Sequence, residues 1–188
     1  MDSVVIVIIV SAVLLVVGLF VIIVYNSLVK LRNSVKDHWS QIDVQLKRRF
    51  DLIPNIVETV KAYAKHEEET LKEVVEARNL YENSNTHEEA INADLKLNEY
   101  VPKLIALAES YPELKANENY KHLQQELSET EDKIAYARQF YSDSVLKYNN
   151  KIQMFPNNIV AKLFGFKSEQ FFKANNNERQ SVKVELEK

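Results

Sequence analysis

The chain has 188 residues, no cysteine, two glycines and a formal net charge of −3. The lack of cysteine excludes disulfides, thiol chemistry and cysteine-based zinc sites. No glycine stands between positions 18 and 165, which excludes a P-loop, a dinucleotide-binding turn and a nucleophile elbow, because each needs glycine at a tight turn. The nearly balanced charge gives no indication of a nucleic-acid partner.

Residues 4–24 form an apolar run whose only polar member is Ser11. As a helix rising about 1.5 Å per residue, the run spans roughly 30 Å, the thickness of the hydrocarbon core of a bilayer. The run exceeds the usual apolar length of a signal peptide (about 7–15 residues), no basic residue precedes it, and no A-x-A site follows it. We therefore predict an uncleaved transmembrane anchor over residues 1–27 that contacts the lipid bilayer through residues 4–24.

Basic residues flank only the C-terminal side of this anchor, at Lys30, Arg32 and Lys36. Flanks rich in lysine and arginine stay on the cytoplasmic side of a membrane. The sequence therefore predicts a single-pass protein with its N-terminus outside the cell and its polar body in the cytoplasm.

The body after the anchor repeats apolar residues at intervals of three and four, which is typical of helices that bury one face. The first such seam runs from Leu28 to Phe50, and no break separates it from the anchor. Asp51 and Pro54 suit the first turn of a helix, where Asp can cap and proline loses no hydrogen bond. We therefore predict a turn near Phe50–Asp51 and a second helix from about Leu52.

The third predicted helix follows a polar loop over residues 82–86. Thr86 and Glu89 match a capping box, which marks the start of a helix. Pro102 lies inside the pattern and predicts either a kink or a helix start, because an interior proline removes a hydrogen bond. Pro112 is predicted to end this helix.

The fourth predicted helix is the longest and has the most regular apolar spacing, from Tyr120 to Ile152. At about 1.5 Å per residue it extends roughly 50 Å. Pro156 is predicted to stop it. A short helix then follows, with Asn158 as its cap and Gly165 as its C-terminal stop.

These seams and the short loops between them predict an all-α fold, in which an N-terminal transmembrane helix is followed by an antiparallel up-down four-helix bundle. The predicted domains are the anchor over 1–27, the bundle over 28–155, and a short helix with a polar C-terminal tail over 156–188. An extended oligomeric coiled coil would have the same seams. The loops favour chain reversal within one molecule and leave the oligomeric state open.

Five ordered segments, which together cover nearly the whole chain, resemble the LemA family of bacterial membrane-anchored helical proteins. They are QIDVQLKRRFDLIPN (41–55), VKAYAKHEEETL (60–71), ALAESYPELKAN (106–117), LQQELSETEDKIAYARQFY (123–141) and YNNKIQMFPNNIVAKLFGF (148–166). The resemblance implies one transmembrane helix in the bacterial cell (inner) membrane, a short extracellular N-terminus and an up-down four-helix bundle. It assigns no enzymatic activity. In some bacteria the gene neighbours that of a membrane zinc metalloprotease, which makes such a protease a candidate partner.

The resemblance also extends to single positions, which we take as the candidate partner-binding or family-motif residues: Arg48, Arg49, Asp51, Pro54, Asn55, His66, Glu67, Arg138, Tyr148 and Asn149. Packing alone does not require an Arg-Arg-x-Asp sequence at a helix end. The stretch from Arg48 to Asn55, with the neighbouring His66 and Glu67, is therefore the predicted partner-binding surface. Pro102 is a departure, because the family is expected to continue the helix there.

The sequence gives little support for a metal or catalytic site. Helix bundles hold metals between Glu-x-x-His pairs, but no histidine of this chain has glutamate three positions earlier. His66 and Glu67 begin an H-E-x-x-H pattern that lacks its second histidine. Glu118 and His122 lie one turn apart, an arrangement more typical of two solvated side chains. Trp39 is predicted to be a core residue. We predict no catalytic residue, metal or cofactor, with a metal-dependent enzyme as the weakest alternative.

An acidic cluster lies on the fourth predicted helix, at Glu126, Glu129, Glu131 and Asp132. The simplest interpretation is a solvated helix face. A second interpretation pairs the cluster with Arg48 and Arg49. Such pairs would fix helix register more than they add stability, because desolvation offsets the Coulomb attraction.

The predicted function is a membrane-tethered, non-enzymatic scaffold or adaptor of the LemA type that presents a helical body to protein partners. The alternative is an accessory factor or substrate-presenting regulator of a membrane protease. Loss of the protease would then change the abundance of this protein or of the protease's clients. No nucleic-acid partner is expected.

Overall fold

Six α-helices make up the part of the chain that the structure, a computed structural model, describes, namely residues 2–64 and 68–172. The helices are α1 (Asp2–Lys61), α2 (Glu68–Glu82), α3 (His87–Glu109), α4 (Pro112–Ala116), α5 (Glu118–Gln153) and α6 (Asn157–Leu163). These ranges contain no strand, so the all-α prediction is confirmed. Most of the predicted polar tail lies at 173–188, outside the described residues.

The turn predicted near Phe50–Asp51 is wrong, because α1 continues through Pro54 to Lys61. Buried residues keep their helical spacing across the proline, at Leu46, Phe50, Ile53, Ile56 and Val60. An interior proline costs about 3 kcal/mol, while burying one large apolar side chain contributes about 1.5–3 kcal/mol. Burial of this continuous face therefore outweighs the cost of the proline. Pro54 itself lies on the exposed side, where water can bind the carbonyl that loses its N–H partner.

The start of α3 follows the sequence prediction, whereas the alternative of a helix start at Pro102 does not. The Thr86 hydroxyl accepts from the Glu89 amide at 3.2 Å, and the Glu89 carboxylate accepts from the Thr86 amide, which completes the capping box. The helix then continues through Pro102, so a helix start there is wrong. The buried residues Leu97, Val101, Leu104 and Ala108 carry the same face across the proline.

The predicted end of α3 at Pro112 is confirmed to within three residues. α3 ends at Glu109 with Ser110 as its cap, and Pro112 begins α4. A first-turn position suits proline, because its missing N–H would have no partner inside the helix. Pro112 therefore follows the end of one helix and begins another, and the sequence analysis predicted only the first of these.

The long α5 and its short successor α6 confirm most of their predictions. α5 covers 36 residues, which includes the whole predicted range. Asn158 is not a cap, because α6 begins at Asn157 after Pro156 and has no side-chain cap. Gly165 has a positive φ of 71°, and the Phe166 amide donates to the Ala161 carbonyl at 2.9 Å, as in a glycine-terminated helix end. The predicted stop at Gly165 is confirmed.

The described chain divides into two compact units, and α1 and α5 each contribute to both. Unit 1 consists of residues 2–41 and 137–172. In unit 1, Trp39 of α1 packs edge-to-face on Tyr141 of α5, while Leu28 packs near Ile152. The two helices therefore run in opposite directions in this unit. The predicted core position of Trp39 is confirmed, since it is 7% exposed.

Unit 2 consists of residues 42–64 and 68–136 of the described chain. Its core combines the apolar face of α1 with the facing sides of the shorter helices. α2 and α3 pack on each other, and α4 follows α3 and contacts it. The buried side chains that α2, α3 and α4 contribute include Leu71, Val74, Ala77, Leu97, Leu104 and Leu114.

Candidate functional site

Arg49 is the centre of a buried polar cluster in unit 2. Its side chain projects from α1 into the core and is 1% exposed. Nη1 donates to Asp94 Oδ1 at 2.8 Å and to Asn98 Oδ1 at 2.6 Å, both on α3. Nη2 donates to the Glu131 carboxylate on α5. One guanidinium therefore joins three helices.

The charges in this cluster differ in their exposure. Asp94 is fully buried, whereas the Glu131 side chain is 45% exposed. A buried ion pair of this kind adds little net stability, because the desolvation of both charges offsets their attraction. Removing one member is costly, because it leaves the other charge without compensation. The Arg49 cluster is therefore suited to fixing how α1, α3 and α5 pack within unit 2.

Part of the predicted pairing between arginines and the acidic cluster is present. Arg49 binds Glu131 as expected. Arg48 instead lies on the exposed side of α1, and Glu126 lies 4.0 Å from His122. In the described ranges no ion pair joins Arg48 to Glu126, so that part of the pairing is wrong. The helical period explains this, since adjacent residues on a helix point about 100° apart.

Asp94 and Asn98 are the members of the cluster that sequence reasoning missed. Asp94 lies within the apolar seam of α3, between buried Ala90 and Leu97. A charged residue in such a seam needs a partner, because a buried charge is tolerated only when it is paired. This interruption of the seam was the signal that could have identified Asp94 as a partner of an arginine.

Tyr81 of α2 contacts α1 in the same unit. Its ring stacks on Phe50, with centroids 4.2 Å apart, and its hydroxyl donates to Asp43 Oδ1 at 3.0 Å. Partial burial raises the pKa of Tyr81 above its ordinary value, and the charges of Asp43 and then Asp51 raise it further. The phenol therefore stays protonated as a hydrogen-bond donor at physiological pH.

The remaining candidates on α1 form an exposed face. Arg48, Asp51, Pro54 and Asn55 all lie on the solvent side, in the stretch where Arg49 points inward. Spacings of three, four and seven place Arg48, Asp51 and Asn55 on one side of the helix. His66 and Glu67, the other predicted members of this surface, lie outside the described residues.

A groove lies between the end of α1 and α2, on a different side of α1 from this exposed face. It has a volume of about 580 Å³, and its lining is mostly apolar. Val57 of α1 and Ala64, which follows α1, line the groove together with Leu71 and Val75 of α2. Lys61, Glu68, Lys72 and Glu76 supply charges of both signs around it. A groove of this kind can receive an apolar side chain of a partner between charged rims.

Three further candidates lie together in unit 1, where they hold the segment that follows α6. The Asn149 amide donates to the Glu169 carbonyl at 2.9 Å, and its Oδ1 accepts from the Glu169 amide at 3.0 Å. The Tyr148 hydroxyl donates to the Lys167 carbonyl at 2.8 Å. The Arg138 guanidinium lies 4.4 Å from the ring centre of Phe172. These side chains therefore bind residues 167–172 along α5.

Aromatic side chains complete this contact. Trp39 lies near both Tyr141 and Phe172, and the Tyr141 hydroxyl donates to the Gln170 carbonyl at 2.9 Å. Burial raises the pKa of Tyr141 and of Tyr148, and the charge of Glu169 raises both further. Both phenols therefore remain donors at neutral pH. The arrangement serves packing and chain attachment, since each of these polar groups binds the protein's own backbone.

No group of three or more histidine, aspartate or glutamate side chains in residues 2–64 and 68–172 could hold a metal ion.

The candidate partner-binding or family-motif residues lie in three places in the described structure. Arg49 is in the buried cluster, four residues are on the exposed face of α1, and Arg138, Tyr148 and Asn149 hold the segment after α6.

The helical body of the chain matches a known protein family. A model described as the LemA family matches residues 38–186. The chain belongs to the LemA family. The matched range begins after the apolar residues 4–24, so the LemA match concerns the helical body. The resemblance stated from the sequence is thereby confirmed.

Three relatives illustrate the spread of sequences around this LemA-family chain. Magnetosome protein MamQ of Magnetospirillum gryphiswaldense is 25% identical, over 79% of this chain and 64% of the relative. Magnetosome protein MamQ 2 of Paramagnetospirillum magneticum is 26% identical with the same coverage. Protein LemA of Metamycoplasma hominis is 26% identical over 84% of this chain and 72% of the relative. The chain thus spans 64% of the length of the MamQ relatives.

Proposed function

We propose that this LemA-family chain is a single-pass membrane protein whose helical body acts as a non-enzymatic scaffold or adaptor for protein partners. The N-terminal part of α1 is long and apolar enough to cross a membrane, with a mean hydropathy of 3.5 over 18 residues and no burial. Apolar side chains left uncovered over such a length are stable in lipid and unfavourable in water. This supports residues 4–24 as the bilayer contact.

The proposal includes the membrane orientation and the shape expected of the family. The N-terminus lies outside the cell, and an antiparallel four-helix bundle over residues 28–155 lies in the cytoplasm. The basic flank at Lys30, Arg32 and Lys36 supports this orientation. The opposite directions of α1 and α5 in unit 1 are what an up-down arrangement requires.

One observation supports the partner-binding surface more than any other. Within the family-matched stretch, Arg49 is buried in unit 2 and paired with Asp94. The side chains of Arg48, Asp51 and Asn55 are exposed to solvent. Packing of the core therefore does not explain why Arg48, Asp51 and Asn55 match the family. We propose that a protein partner binds this exposed face of α1 at Arg48, Asp51 and Asn55.

Site-directed photo-crosslinking in cells tests this surface. A photoreactive residue at Asn55 should give a cross-linked protein, and the additional change Arg48→Glu should remove it. Exposed Lys133 on α5 is the control position. Arg48→Glu should leave the melting temperature unchanged, because its side chain is in solvent. The surface is refuted if Asn55 gives no product, or only the products obtained from Lys133.

The orientation is tested by cysteine labelling, for which the cysteine-free chain is well suited. Ser3→Cys and Ser128→Cys place one thiol at exposed positions near the N-terminus and on α5. In intact cells or spheroplasts, a membrane-impermeant maleimide should label the first variant and reach the second only after lysis. The reverse pattern would place the body outside and end the cytoplasmic adaptor model.

The alternative role, as an accessory factor or substrate-presenting regulator of a membrane metalloprotease, stays a prediction. The same photo-crosslinking experiment addresses it, because a protease captured from Asn55 would identify the partner. Stoichiometric metal in the purified protein would contradict the non-enzymatic proposal.

A further inference from the structure

An exposed apolar patch surrounds the turn between α5 and α6 in unit 1. Phe155 is 78% exposed and Leu163 is 73% exposed. The apolar patch, as we name it, comprises these exposed side chains of residues 154–164: Met154, Phe155, Ile159, Leu163 and Phe164. Soluble surfaces seldom expose so many large apolar side chains close together. None of the residues that the structure describes covers this patch.

The opposite side of α6 fixes the position of the patch along α1. Val160 and Ala161 are buried against Val24 and Leu28, with Val21 at the edge of the same cluster. Tyr25 packs edge-to-face on Phe164, with ring centres 4.9 Å apart. The apolar patch therefore lies beside the end of residues 4–24. A tyrosine at this level is typical of a membrane interface.

The charges near the patch are mainly positive, although the whole chain carries −3. Residues 25–37 and 151–167 contain six basic residues and one acidic residue, Asp37. The basic residues are Lys30, Arg32, Lys36, Lys151, Lys162 and Lys167. A basic band at this level complements the anionic lipid headgroups of a cytoplasmic leaflet.

We propose that the apolar patch enters the headgroup–acyl boundary of the same bilayer that the N-terminal anchor crosses. This inference rests on the proposed anchor. The patch continues the apolar surface of residues 4–24, and α6 holds it there through Val24 and Leu28. With seven residues, α6 is too short to span a bilayer. It lies at the interface, with its exposed side chains buried about 5–10 Å below the surface.

The bilayer is the occupant that this location favours. Any partner covering the patch must also lie against the end of the anchor, where lipid is already present. The exposed apolar side chains and the surrounding lysines match the two layers of a membrane interface, acyl chains and anionic headgroups. The patch therefore gives the protein a second, shallow membrane contact.

Spin labelling of the full-length chain in proteoliposomes containing anionic lipid tests the inference. Single cysteines replace Phe155 and Leu163, which are exposed and contribute little to packing. Val13→Cys, exposed within the apolar run, reports on the anchor itself. Phe140→Cys is the matched control, an exposed aromatic position on α5 about 20 Å along the helix from its end at Gln153. Collision with oxygen and with a water-soluble nickel complex measures the depth of each label.

The expected result is a severalfold higher ratio of oxygen to nickel accessibility at Phe155 and Leu163 than at Phe140, at a shallower depth than Val13. If Val13 lies deep while Phe155 and Leu163 resemble Phe140, the interfacial contact is wrong and the anchor stands. If the two labels are inaccessible to both reagents, protein covers the patch, which also overturns the inference. If the label at Val13 is instead accessible mainly to the water-soluble nickel complex, both the anchor and the interfacial contact are refuted.

Discussion

The two units hold their helices together by different chemistry. In unit 2 a buried arginine connects α1, α3 and α5 through two carboxylates and an amide. In unit 1 Trp39 packs on Tyr141, and Tyr141, Tyr148 and Asn149 bind backbone groups of residues 167–170. Backbone groups are present whatever residue stands there, whereas the arginine needs particular partners. Unit 2 therefore depends more on the identity of single side chains.

The largest effect is expected at Arg49. Arg49→Met leaves the buried Asp94 carboxylate without the arginine's charge, so the free energy of unfolding should fall by about 3–5 kcal/mol. Arg48→Met is the matched control and should change it by less than about 0.5 kcal/mol, because Arg48 is exposed. Urea unfolding in detergent micelles, followed by circular dichroism, measures both. Equal losses at the two arginines would contradict the assigned role of Arg49.

A double substitution sharpens this result. Arg49→Met combined with Asp94→Leu replaces both buried charges with apolar side chains. Such replacements are often neutral, so the double variant should be more stable than Arg49→Met alone. If the loss in the double variant equals the sum of the losses measured for Arg49→Met and for Asp94→Leu alone, the two side chains do not interact.

A smaller and more local effect is expected in unit 1. Asn149→Ala removes two hydrogen bonds to the backbone of Glu169, at a cost of about 1–3 kcal/mol. Hydrogen exchange at the Glu169 amide should accelerate, because the segment after α6 loses an attachment. The neighbouring Asn150 is exposed and provides the control Asn150→Ala. Unchanged exchange at Glu169 would show that the remaining contacts of Tyr141, Tyr148 and Arg138 are sufficient to hold the segment.

The smallest effect concerns the pH dependence that Tyr81 adds to the free energy of unfolding, which begins only near pH 10. Because the folded-state pKa of Tyr81 is raised, its contribution is fully present below the unfolded pKa of about 10. It is lost as the pH rises from there through the folded-state pKa. Between pH 8 and 11, the free energy of unfolding should fall less steeply with pH for Tyr81→Phe than for the unchanged chain. Parallel curves would show that Tyr81 adds no pH dependence.

Local signals in the sequence predicted local structure well. Thr86 and Glu89 gave the start of α3, Gly165 gave the end of α6, and regular spacing gave α5. Each signal acts within one or two turns of helix. The turn predicted before Pro54 and the alternative of a helix start at Pro102 were wrong, because the buried faces on both sides keep each helix continuous. That decision depends on tertiary packing, which a local pattern does not contain.

The candidate sites were predicted less completely, for a related reason. Glu131 could be proposed as a partner for Arg49 from charge alone, but Asp94 and Asn98 required knowledge of how α3 faces α1. The attachment of residues 167–170 to Tyr148 and Asn149 uses backbone atoms. No side-chain pattern in that segment marks such a contact, so the resemblance indicated these two residues without indicating their role.

The single left-handed backbone position has a consequence for sequence divergence. In residues 2–64 and 68–172, Gly165 alone has a positive φ, and every other described position has a backbone that ordinary L-residues adopt. Helix-based bodies of this kind constrain evolution through side-chain volume and burial, with almost no backbone positions reserved for glycine. Substitutions can therefore accumulate across most of the surface. Relatives only 25–26% identical can then share one family, as the MamQ and LemA relatives do.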